Sequence, residues 1–136
     1  MPIVRNSAQK RETIEGFYQE IADHSSAIDN QIGTSLLAFI DMINQTFITT
    51  MRYGLTSHYR LVIQATDNGE DAWYIMVCAD GIGKFHFEYQ MPENTGPWKR
   101  ASIRGEANSI EEAKDYLIIA MKESEGWEEN KHRSVW

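Results

Sequence analysis

The feature that most constrains this chain lies in residues 27–52. Ile28, Ile32, Leu36, Phe39, Ile43, Phe47 and Met51 recur at helical spacing and form one continuous apolar stripe. Leu37, Ile40 and Ile48 widen it well beyond a narrow seam. A helix over the whole segment would be roughly 36–39 Å long at 1.5 Å per residue. That is about the full width of a domain built from 136 residues. So apolar a helix has to be covered on most sides, either by the rest of the chain or by a second copy, and its length favours a homodimer. Gly33-Thr34-Ser35 is the expected interruption, with Thr34 or Ser35 recapping, and Gly54 the expected stop.

The rest of the chain has to build that cover. Residues 7–24 predict a helix capped by Ser7, with Ile14, Phe17, Tyr18 and Ile21 on one face. His24-Ser25-Ser26 breaks it, and Ser25 or Ser26 caps the long helix. Four strands follow: 58–66, 73–79, 84–90 and 98–104. Their connections are short, so neighbours should run antiparallel. Ser109 and Glu112 form a capping box for a last helix, with Ile110, Ala113, Leu117, Ala120 and Met121 on its apolar face and Gly126 as its stop. The expected class is α+β: an N-terminal helical pair, a four-stranded antiparallel sheet and a C-terminal helix. Residues 1–126 make one domain, followed by a polar tail over 127–136.

Strands leading into G-x-A-x-S-x-x-E-A-K over residues 58–123 resemble small βββα domains, among them HicB-like antitoxins and double-stranded-RNA-binding domains. An RNA-binding domain of that kind has basic residues at the helix start. This chain has Glu111 and Glu112 there, so no function is carried over.

Charge narrows the partners. The formal net charge is −7, and residues 106–130 hold eight acids against two lysines. Such a chain gains little from counterion release, so no nucleic-acid partner is expected. A basic protein partner matches the acidic end better, although a charged helix face often does no more than keep a protein in solution. No apolar run approaches the ~18 residues of a membrane span. MPIVRNSAQKRE has no apolar core of a secretory signal, and Cys78 is the only cysteine. A cytoplasmic location is expected.

The stretch KFHFEYQMPENTGPWKRASIRG, residues 84–105, carries most of the candidate chemistry. Phe85, Phe87 and Tyr89 alternate with His86, Glu88 and Gln90. If Ala79 pairs with Lys84, then Tyr74, Met76 and Cys78 join the aromatic face in the core. Tyr59, Leu61, Ile63, Ala65, Ala101 and Ile103 are the other expected core positions of the sheet. The opposite face then presents Arg60, Gln64, His86, Glu88, Gln90, Trp98, Arg100, Ser102 and Arg104. A one-residue slip in register would exchange the faces of a strand.

A wet sheet face needs no function, and a pair such as Glu88 with an arginine is ordinary. Trp98 and the arginines point further, because Trp and Arg dominate binding hot spots and arginine grips carboxylates and phosphates. The candidate binding residues are therefore Arg60, His86, Glu88, Trp98, Arg100 and Arg104. No metal site is expected, since His86 and Glu88 find no third ligand at any recognisable spacing. No cofactor is expected, and DGIGK at 80–84 reads as a hairpin turn rather than a phosphate loop. Cys78 reads as a small buried hydrophobe. The expected function is a non-enzymatic acidic binding protein acting by stoichiometric contact with a macromolecular partner, of immunity, antitoxin or phage-inhibitor type. The alternative is a homodimer that holds a small anionic ligand, such as a nucleotide, on the Arg/Trp face. An enzyme centred on His86 and Glu88 ranks third.

Overall fold

The structure, a computed structural model, describes residues 3–5, 13–46, 52–57, 59–64, 75–91, 97–98 and 101–123. The elements in chain order are β1 (Ile3–Arg5), α1 (Ile14–Ala22), α2 (Ala27–Thr46), β2 (Arg52–Ser57), β3 (Arg60–Gln64), β4 (Ile75–Ala79), β5 (Phe85–Gln90), β6 (Ser102–Ala107) and α3 (Ile110–Glu123). The strands form one sheet in the order β1-β2-β3-β4-β5-β6. β1 runs parallel to β2, and every other neighbouring pair is antiparallel. The α+β class stands, with its N-terminal helical pair and C-terminal helix, but among the described residues the sheet has six strands rather than four.

Thr13 is extended, with ψ 160°, and its side chain accepts from the Gly16 N–H at 3.0 Å. The first helix therefore begins at Ile14 and not at Ser7, which lies outside the described residues. Ile14, Tyr18, Ile21 and Ala22 are buried. After the break at 23–26, the Ser26 side chain accepts from the Asp29 N–H, as expected of a cap.

α2 runs through Gly33-Thr34-Ser35 without interruption. Gly33 is there for packing. A Cβ on it would come within 2.3 Å of the Ala22 nitrogen and 2.7 Å of the Tyr18 carbonyl oxygen, so this is where the backbones of α1 and α2 meet. α2 is described as far as Thr46, and residues 52–57 are a strand, so the helix does not reach the expected end at 52. Gly54, expected to stop the helix, lies in β2, where a Cβ would sit 2.3 Å from the Ile14 Cδ1. Phe47, Ile48 and Met51 fall outside the described residues.

Within α2, Leu36, Phe39, Ile40 and Ile43 are at most 1% exposed. α2 packs against α1, α3 and β4. The Phe39 ring stands 5.7 Å from Phe85 and 5.8 Å from Phe87. From Leu36 to Ile43 the cover for α2 thus comes from its own chain, whereas Ile28, at the start of the stripe, is 61% exposed.

α3 opens on the expected cap: Ser109 Oγ accepts from the Glu112 N–H at 3.1 Å. The Glu112 carboxylate reaches back to the Asn108 N–H, one residue before the cap. Ala113, Leu117, Ala120 and Met121 are buried, as expected. The stop at Gly126 and the tail over 127–136 lie outside the described residues. All three helices share one core with Leu61, Ile63, Ile75, Val77, Phe85 and Phe87, so they cover the same face of the sheet. No described element covers the other face. No helix among the described residues is long and apolar enough to cross a membrane.

Candidate functional site on the sheet face opposite the helices

The register of β4 against β5 decides what this face carries. Ala79 pairs with Phe85, not Lys84, so β4 is one residue out of the expected register. The turn sets the pairing. The Asp80 N–H donates to the Lys84 carbonyl, and the Asp80 side chain accepts from the N–H groups of Ile82 and Lys84, each at 3.0 Å. Gly83, at φ +87°, closes a three-residue loop that few other residues could enter. Ile75, Val77 and Ala79 consequently face the helices with Phe85, Phe87 and Tyr89, which were expected there. Met76 and Cys78, expected in the core, turn to the face opposite the helices instead and are half-buried; Tyr74, expected with them, lies outside the described residues.

Two rows of side chains cross that face. One runs Val62, Met76, Glu88, Arg104, and the other contains Cys78, His86 and Glu106. A groove of about 530 Å³ lies over them, lined by Arg60, Met76, Cys78, His86, Glu88, Arg104 and Glu106 among others. Arg104 Nε donates to Glu88 Oε1 at 2.8 Å, the cross-strand pair expected of Glu88. Lys84 Nζ meets Glu106 at 2.9 Å, and His86 Nε2 lies 3.0 Å from Asp80 Oδ2. Arg60 donates to the Met76 sulfur at 3.8 Å and has no carboxylate partner among the described residues.

These contacts move protons in definite directions. Partial burial pushes Asp80 up, but hydrogen bonds from His86, Lys84 and Ile82 outweigh it and hold the carboxyl below its ordinary range. The Lys84 ammonium holds Glu106 down, and Glu106 in turn holds Lys84 up. Burial pushes the Cys78 thiol up; Arg60 opposes this, and Asp80 and Glu88 add to it. Cys78 stands directly across from His86 in the ladder. An activated cysteine has a depressed pKa, whereas this one is raised. A thiol raised in this way is poorly suited to thiolate chemistry.

Of the sequence-predicted residues, Arg60, His86, Glu88 and Arg104 come together in the groove. Trp98 does not line it and stands apart in a bend at 97–98, 71% exposed. Arg100 lies outside the described residues. The last strand begins at Ser102, not at Trp98, and Ile103 is 39% exposed rather than core. Tyr59 is likewise exposed, and Gln64 is buried. Sequence reasoning missed Met76, Cys78 and Glu106. The first two went with the register slip, and Glu106 was counted with the acidic helix although it precedes it. Compared with protein-family models, curated proteins and solved structures, the chain matches none.

Proposed function

We propose that this chain is a non-enzymatic binding protein that acts by stoichiometric contact with a macromolecular partner, as immunity proteins, antitoxins and phage-encoded inhibitors do, and that the sheet face opposite the helices is the contact surface. The observation that carries the reading is the layering. Three helices bury one face of the sheet, while the other carries mutually neutralised charges around a groove floored by Met76 and Cys78. Internal ion pairing lowers the desolvation of such a surface when a partner arrives, and Arg60 remains to recognise a carboxylate on it.

Co-expression of a tagged chain with the products of its neighbouring genes tests this, with native mass spectrometry as the readout. A one-to-one complex that Arg60→Glu weakens at least about tenfold supports the reading, by the size of a central charge reversal. A complex indifferent to Arg60→Glu, or no complex with any neighbour, sinks it.

The groove volume favours one second reading, a small anionic ligand, since 530 Å³ is the size of an ordinary ligand site. Against it, Glu88 and Glu106 line the groove together with Arg104 and Arg60, so the groove has no strong excess of positive charge. A melting shift with nucleotides that Arg60→Ala removes would turn the assignment to this ligand.

A further inference from the structure

We propose that the free edge of β6 is a homodimer seam, at which β6 pairs antiparallel with its copy about a two-fold axis through Gly105. The seam borders the groove, whose lining includes Arg104, Gly105 and Glu106. Among the described residues β6 is paired on one side only, with β5. The Met91 N–H donates to the Ala101 carbonyl at 2.8 Å, and hydrogen-bonded pairs alternate along an antiparallel ladder. Carried along the register, this turns the main-chain groups of Ile103, Gly105 and Ala107 to β5. Those of Ser102, Arg104 and Glu106 turn to the open edge. An edge of this kind is a template for another strand.

The side chains select both the occupant and the register. Edge-facing residues must stand opposite edge-facing residues. A two-fold at Arg104 would oppose two arginines, and a two-fold at Glu106 would oppose two glutamates, each unfavourable. The two-fold at Gly105 sets Arg104 opposite the partner subunit's Glu106, and symmetry does so twice. Gly105 then meets its copy at the non-hydrogen-bonded position, where Cα atoms approach to about 4.5 Å, with no side chain between them. On the helix side, Ile103 falls opposite the partner subunit's Ala107. Beside it an apolar groove of about 250 Å³, lined by Ile103, Tyr116 and the 51% exposed Ile119, runs along the same edge. A strand that complements itself in charge under a two-fold fits a second copy of this chain.

Sedimentation velocity of the full chain from micromolar to millimolar concentration tests the seam. A reversible dimer is expected, weakened about tenfold or more by Arg104→Glu because the reversal occurs twice. A monomer throughout overturns the proposal, as does a dimer that Arg104→Glu leaves unchanged. Should that variant fail to fold, Gly105→Cys in a Cys78→Ser background decides. Mild oxidation should link it into a covalent dimer, because the Cα separation on the axis lies within disulfide range. Ser102→Cys in the same background should not link. Equal linking of both, or of neither, overturns the register.

Discussion

Asp80 shows how one side chain fixes the identity of a surface. Its carboxylate accepts from two backbone N–H groups and lies beside His86, so it holds the turn that sets β4 against β5. Asp80→Ala removes all three contacts, and the expected loss is about 1–2 kcal/mol, as for other side chains that satisfy turn and cap donors. Urea unfolding checks this, and a loss near zero would mean that the loop holds itself. The Glu88–Arg104 pair behaves differently. Arg104 is 82% exposed, so a double-mutant cycle should give a coupling below about 1 kcal/mol. A coupling well above that would make the pair part of the scaffold rather than a surface free to meet a partner.

At the scale of elements, Gly33 is the sharpest point. On an isolated helix, Gly33→Ala would gain about 1 kcal/mol in propensity. Here the new methyl meets the α1 backbone, which cannot rotate aside, so overpacking of about 1–3 kcal/mol outweighs the gain. Thermal unfolding should show a lower Tm; a raised Tm would place the α1–α2 crossing elsewhere. Elements with a period were legible in the sequence. Ile14, Tyr18 and Ile21, the stripe from Leu36 to Ile43, the alternation of β5 and the Ser109 cap all stand in the structure.

What was not legible had two readings of equal weight. β4 is apolar on both faces, so nothing in Ile75–Ala79 could say which residues point inward, and the turn chemistry of Asp80 decided it. β2 was absorbed into the long helix because Met51 continues the helical stripe and Gly54 imitates a stop. The link to β3 at 58–59 is His-Tyr, without the Gly, Asn or Asp that marks a hairpin. β1 has only three residues and depends on β2 for its pairing, so no local pattern announces it. For the candidate site, the alternation of His86 and Glu88 was readable, whereas Met76, Cys78 and Glu106 depended on register.

Over the whole molecule, net charge and the turn network pull in opposite directions as pH falls. The chain carries −7 near neutrality, so mild acidification relieves self-repulsion and should raise stability slightly towards the pI of about 5.0. Below that, the depressed carboxyls take over. Asp80 and Glu106 have folded pKa values below their ordinary 3.8 and 4.5. Their contributions are therefore complete above those values and are lost as pH falls through the lower, folded ones. Lys84 has the opposite sign: its pKa is raised from 10.5, so its contribution is complete below 10.5 and is lost as pH rises beyond it. The unfolding free energy should thus peak between about pH 5 and neutrality and fall on both sides. Asp80→Asn separates the causes, because it keeps an acceptor oxygen for the turn but cannot titrate. It should start less stable at neutral pH and then lose less than the wild type between pH 4.5 and acid. An acid limb parallel to that of the wild type would mean that general charge, and not the Asp80 carboxylate beside His86, governs acid unfolding.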